Sequence, residues 1–408
     1  MNKKILHLNF SDDGGAAIAV KRIHDALKQN NYKSKILVAE KINSSDDVFC
    51  NQNMFDKFIW KQKKKISRNL KFIFKSKNKN THTISFLSSN ILSQINHYNP
   101  DIVNIHWIGN EFISLKQISK IDKPIIWTLH DMWLYTGAEH YTTDERFIHG
   151  YNKDNRNKGE SGPDINRWVW NRKKKYLSKD IKVVSTSNWQ YQNAKKSFLL
   201  KNLDIYKIPL PIDTDTWKPI NKNNSRSDLG WSSDKIYFLF GFSDYSRRNI
   251  KGLDIALDLF DKFNKTNNGN CILNIFGKIN KKYLNKENVN ILGSIDTQNE
   301  LRRLYSASNL LLNPSRLESF GQVALEALSC GLPILINKNT GTNDLILCDK
   351  MGYILENELD SNFNSLLSWF NKNCLNDNQD LLHSKIKEHF SYNVISDKYA
   401  ELINKIII

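Results

Sequence analysis

Cysteine is scarce in this chain and unpatterned. The five cysteines are odd in number, scattered, and include no CxxC pair, which excludes a disulfide framework and a zinc site of paired thiolates. No apolar run approaches the ~20 residues that a membrane-spanning helix needs. Acidic residues are outnumbered, with 42 Asp and Glu against 59 Lys and Arg and a formal net charge of +17. Such an excess admits nucleic acid, anionic membrane and anionic small molecules as partners. Zinc-finger spacing and RNP-like aromatic motifs are missing, so nucleic acid is not expected. Much Lys, Asn and Ile also matches an AT-rich coding sequence. The N-terminal stretch carries Lys3 and Lys4 but is interrupted by His7 and Asn9. It reads as a strand running into the loop Ser11-Asp12-Asp13-Gly14-Gly15, not as a signal peptide. A cytoplasmic protein is expected.

What is present is a long alternation of short apolar runs and helical stretches. At 408 residues, with 40% hydrophobic and 11% aromatic content, the chain suits two globular domains. Strands are predicted at Lys4–Leu8, Lys35–Val38, Ile102–Ile105, Pro124–Leu129 and Val183–Thr186, with a helix over Ala16–Gln29. The second half repeats the rhythm at Tyr237–Gly241, Ile272–Gly277, Val289–Gly293, Leu310–Leu312 and Ile334–Ile336, with a helix over Leu253–Phe263. This pattern predicts an α/β fold of parallel, doubly wound sheets. The proline-rich run Ile208–Asp213 suits a hinge, and Asn221–Asp234 is polar and reads as a linker.

The densest chemistry lies in Pro314-Ser315-Arg316-Leu317-Glu318-Ser319-Phe320-Gly321, followed by Glu326 and by Ala327-Leu328-Ser329-Cys330-Gly331-Leu332-Pro333. Glu318 falls in a loop after a strand, and Glu326 in the helix that follows a Phe-Gly turn. A helix start offers free N–H groups to an anion. The two carboxylates beside it therefore suit hydroxyl groups, since a carboxylate can accept hydrogen bonds from two neighbouring hydroxyls.

This segment resembles the E-x7-E signature of retaining glycosyltransferases of the GT-B fold, a family that includes enzymes of bacterial surface polysaccharide assembly. The resemblance implies two Rossmann-like domains facing across a cleft, residues 1–212 for the acceptor and 213–390 for the nucleotide sugar, with a C-terminal helix, 391–408, returning to the first. It implies that Glu318, Ser319 and the Phe320-Gly321 backbone meet the donor's hexose and phosphate, and that Glu326 holds the ribose. Lys251-Gly252 resembles the family's pyrophosphate grip, although Ser246 stands where many members have arginine, so Arg247 or Arg248 is expected to substitute. Gly14-Gly15 matches a glycine pair beside the donor phosphate, and His130 a histidine near the transferred sugar. His106 and Trp107 end another strand and are candidates for the acceptor pocket or for core packing. The run Thr128–Tyr141 resembles an exopolysaccharide and O-antigen branch, without the cysteines that often follow it there. No cofactor or metal is expected. Asp213-Thr214-Asp215 spells a metal motif but lies in the hinge.

The segment Phe55–Lys77 is basic and aromatic, with Trp60, Lys63, Lys64 and Lys65 prominent. It suits either docking on an anionic membrane, so that the protein sits at the inner face of the plasma membrane, or a surface helix packed on the first domain. Arg167–Tyr176 is a second such patch. The expected reaction is hexose transfer from a nucleotide-diphosphate sugar to a glycan acceptor, lipid-linked. The alternative of another class is a nucleotide-sugar 2-epimerase on the same fold.

Overall fold

A computed structural model describes residues 3–407 other than 51–57, 64, 67, 68, 70–77, 79, 179, 280–285, 357–362 and 377. The chain divides into two compact units, Met1–Pro211 with Ile395–Ile408, and Ile212–Val394.

The first unit holds seven strands: β1 (Lys4–Leu8), β2 (Lys33–Leu37), β3 (Val48–Phe49), β4 (Ile102–Ile105), β5 (Ile125–Leu129), β6 (Lys182–Ser185) and β7 (Ile205–Lys207). All pairings are parallel, in the order β3-β2-β1-β4-β5-β6-β7. The central strands β4 and β5 are buried along their whole length, as expected where helices cover both faces of a parallel sheet. Winding reverses between β1 and β4, which opens a crevice at their C-terminal ends.

The second unit repeats this plan with β8 (Ile236–Asp244), β9 (Cys271–Lys278), β10 (Val289–Gly293), β11 (Leu310–Asn313), β12 (Ile334–Asn337) and β13 (Gly352–Leu355). Their order is β10-β9-β8-β11-β12-β13, again parallel, so the reversal falls between β8 and β11. Its core gathers Phe238, Phe260, Phe263 and Phe370.

Two expectations are corrected. Residues 221–234 are not a bare linker. Lys222–Asp228 is a helix capped by Asn221, whose side chain accepts from the Asn223 and Asn224 amides. Buried Arg226 anchors it, donating to the Ala307 carbonyl (3.0 Å) and the Asn309 side chain (2.8 Å). Trp60 is not an exposed membrane anchor either. It is 6% exposed and packs on Phe10 and Phe112, at centroid distances of 6.3 and 5.9 Å. Lys63 is buried beside it, donating to the Ser88 carbonyl and lying over the Trp60 ring. Of the same segment, Phe58, Lys61, Lys65 and Ile66 are helical and exposed, while 55–57, Lys64, 67, 68 and 70–77 lie outside the described residues.

Candidate active site

In the second unit the site is assembled where the sheet reverses its winding. The loop after β8 carries Arg247, Arg248 and Lys251, and the loop after β11 carries Glu318. Two backbone devices join them. Gly252 has a φ of +71° and packs so closely that a β-carbon there would lie 2.1 Å from the Pro314 carbonyl oxygen. Next to it, the Arg316 amide donates to the Ile250 carbonyl at 2.8 Å. The result is an ion pair: Lys251 Nζ donates to Glu318 Oε2, with the two side chains 18% and 15% exposed. Arg316 forks onto Asp254 (2.8 and 2.7 Å) and holds the outer edge. Arg248 lies over Tyr245, 4.4 Å from its centroid, and Arg247 is exposed.

The helix Gln322–Ser329 starts directly after this loop. Gly321 caps it in the left-handed region, with φ +93°, a conformation that costs glycine nothing. A β-carbon at Gly321 would meet the Thr342 hydroxyl at 2.6 Å. Among the described residues that hydroxyl is buried without a partner, as are Asn313 Nδ2 and Asn337 Oδ1 beneath the same loop. Ser319 and Phe320 are buried, and Glu318 itself is tied to the loop after β12 by a 2.8 Å bond from the Gly341 amide to its carbonyl. Glu326, a little over one turn into the helix, is 6% exposed and accepts from the Tyr305 hydroxyl at 3.2 Å. Thus Lys251, Glu318 and Gly321 meet at one helix N-terminus, with Glu326 buried just over a turn along the same helix, and such a helix start favours an anion. Asp213 is committed elsewhere: it accepts from the Asp215 amide (3.0 Å) and the Thr216 hydroxyl (2.7 Å) of its own turn.

In the first unit Gly14, φ +93°, caps the helix Gly15–Gln29, and nothing lies within 4 Å of where its β-carbon would be. Asp12 fixes the turn before it by accepting from the Ile42 and Asn43 amides at 2.7 and 2.9 Å. His130 follows β5 and lines a cavity of about 10 Å³, roughly one water's room, together with Trp107, Trp127, Asp131 and Trp133. Burial lowers the His130 pKa to about 4. His106 is buried, and both its ring nitrogens face other histidines, His7 at 2.8 Å and His130 at 2.9 Å. It therefore has no nitrogen to offer an acceptor. Trp107 is half-buried against Phe10.

Several buried charges that organise the first unit carried no signal in the sequence. Glu111 is buried and accepts from four consecutive amides, Ile84 to Leu87, at 2.8–3.2 Å. Lys173, wholly buried, donates to the carbonyls of Trp133, Thr136 and Gly137. Residues 142–164 are organised by buried Arg146, which binds Asp144 (2.6 Å) and Glu160 (3.3 Å) and approaches Asp164 (3.6 Å).

Residues 221–385 match the family of glycosyl transferases group 1. A 41.2 kDa protein of the cps region of Klebsiella pneumoniae is 23% identical over 378 residues, spanning 88% of this chain and 87% of that one. Among solved structures, sucrose-phosphate synthase from Thermosynechococcus elongatus superposes with a TM-score of 0.69, at 14% identity and with 99% of each chain covered. HepE from Anabaena, solved with UDP and glucose, gives 0.61 at 16% identity, covering 99% of this chain and all of that one. The chain therefore has the GT-B fold of these structures, and its second unit, which carries this ion pair and glycine-capped helix, matches the glycosyl transferases group 1 family over residues 221–385.

Proposed function

We propose that this glycosyltransferase moves a hexose, with retention, from a nucleotide-diphosphate sugar to a lipid-linked glycan acceptor in the assembly of a bacterial surface polysaccharide. The observation that carries the reading is the Lys251–Glu318 pair beside the Gly321-capped helix. The pyrophosphate takes the helix N–H groups and Lys251, aided by Arg247 or Arg248. Glu318 is thereby released to accept from the hexose hydroxyls, and Glu326 accepts from the ribose. To the first unit the proposal gives His130, for the sugar, and the Gly14-Gly15 turn, for phosphate. In the chemical step the bond from C1 to the phosphate oxygen breaks and a bond to the acceptor oxygen forms on the same face. The acceptor's proton passes to the leaving phosphate, and a nucleoside diphosphate departs. A nucleotide donor is supported by the UDP in HepE, and a polysaccharide product by the cps-region relative.

A panel of nucleotide sugars, screened for a raised melting temperature, names the donor, because a ligand that binds only the folded state stabilises it. Donor and acceptor together should then yield a glycoside of unchanged anomeric configuration. An epimer formed from donor alone would replace this reading with the epimerase. Glu326→Ala is expected to weaken nucleoside-diphosphate binding by about 1.5–3 kcal/mol, the worth of hydrogen bonds to a charged acceptor. Calorimetry showing unchanged affinity would remove Glu326 from the site.

Attachment to an anionic membrane is part of the same proposal, revised by the structure. Among the described residues of the basic segment, Phe58 and Ile66 are 60% and 46% exposed, with Lys61 and Lys65 exposed beside them. No helix of the described residues is long and apolar enough to cross a membrane, so the contact is peripheral. Binding to vesicles should need acidic headgroups and fade with salt, each lysine contributing ~1 kcal/mol. Replacing Lys61 and Lys65 with glutamine should release the protein, and Phe58→Ser should weaken attachment separately. Equal binding to neutral and acidic vesicles would refute the contact.

A further inference from the structure

Three histidines stand in a row across the first sheet. His7 lies on β1, His106 directly follows β4 and His130 directly follows β5, and these strands are neighbours. His7 Nδ1 is 2.8 Å from His106 Nε2, and His106 Nδ1 is 2.9 Å from His130 Nε2. The row ends at His7, whose Nε2 is buried without a partner among the described residues. The next ring inward, His24, turns its own nitrogens to Ser34 (2.7 Å) and Asp47 (3.4 Å). At the other end no hydrogen bond among the described residues uses His130 Nδ1. The nearest carboxylate, Asp131, is occupied by His140 at 2.6 Å and by the Trp133 amide at 2.9 Å.

A neutral imidazole has one N–H and one lone pair, so two linked bonds force all three rings into the same order. Burial keeps the three rings neutral, lowering each pKa below its ordinary value. If the N–H groups point inward, His7 Nε2–H becomes a buried donor with nothing to receive it. If they point outward, the buried end is only a bare lone pair. Orphaned buried donors are the rarer of the two in folded proteins. We propose that the row presents His130 as a neutral imidazole donating through Nδ1, and that His106 and His7 are positioning residues that hold this tautomer. His130 is then suited to donate to a hydroxyl or phosphate oxygen and is not a base at that nitrogen. The sugar as recipient rests on the function proposed above; the tautomer does not.

The test is two-bond 1H–15N correlation on protein labelled at its ten histidines, with His130 assigned through His130→Asn. Wild-type His130 is expected to show a protonated Nδ1 and a bare Nε2 at neutral pH. In His106→Phe, which keeps a ring but removes both nitrogens, His130 should become a mixture of tautomers. In His106→Asn, whose amide can still donate to His130 Nε2, the lock should hold. Turnover should fall on the order of tenfold in His106→Phe, the loss of one oriented hydrogen bond, with KM for the donor little changed and His106→Asn close to wild type. A wild-type His130 carrying its proton on Nε2 overturns the proposal, whether or not the phenylalanine variant folds. An unaltered lock in a folded His106→Phe overturns the positioning role. An Nδ1–H lock in a protein that binds no nucleotide sugar supports this inference and sinks the proposed function instead.

Discussion

Lys251→Ala is expected to lower turnover by about a hundredfold, because a preorganised cation at the oxygen where negative charge develops is worth several kcal/mol. The fold should persist. The pair with Glu318 is partly exposed, and such pairs contribute ~1 kcal/mol or less to stability. Loss should therefore appear in kcat while the melting temperature stays near that of the wild type. Activity should survive EDTA, since the candidate metal motif has Asp213 spent on its own turn. Chelator-sensitive activity restored by manganese would overturn this part of the reading, and Lys251→Ala turning over like the wild type would remove Lys251 from the site.

Gly252→Ala is expected to damage the same site through the backbone. Alanine at φ +71° costs roughly 1–2 kcal/mol by itself. Its methyl carbon would also meet the Pro314 carbonyl at 2.1 Å, and a backbone oxygen cannot swing aside, so the two loops must part. A total loss of about 2–4 kcal/mol follows, in the range of point changes that break a special backbone conformation. Gly269→Ala is the control, because its φ is +78° but nothing lies within 4 Å of its would-be β-carbon. Urea titration should place Gly252→Ala well below Gly269→Ala in stability, and only Gly252→Ala should lose activity. Equal midpoints would show that the loops give way easily.

Nearly every central strand was legible in the sequence, because an apolar run buried on both faces leaves no other reading. The strands missed were β3, β7 and β13, short pieces toward the sheet edges, and β7 is half-buried at Ile205 and Tyr206 and exposed at Lys207. Lys222–Asp228 escaped because a helix anchored by a buried arginine has no apolar stripe to betray it. Trp60 was misplaced for the opposite reason. Its neighbours are basic, while the rings that bury it, Phe10 and Phe112, are some fifty residues away in either direction. In the candidate site, Glu318, Gly321 and Glu326 were visible as one local motif, and Lys251-Gly252 as a second one 67 residues earlier. His7 looked like an interruption of a strand, since its partner His106 is 99 residues distant.

The last helix, Tyr392–Ile407, begins in the second unit and ends in the first. Its Tyr399, Leu402 and Ile403 are buried, Tyr399 shares a 3.2 Å hydrogen bond with Thr128 on β5, and Asp397 accepts from Asn30 at 3.0 Å. A ribosome therefore delivers a structural part of the first unit only after translating all of the second. During synthesis the nascent sheet around β5 must wait with an uncovered apolar patch, a hazard that vectorial folding usually avoids by finishing N-terminal domains first. A premature stop codon within residues 212–394 therefore harms both units, and one shortly after 394 harms the first while sparing the second.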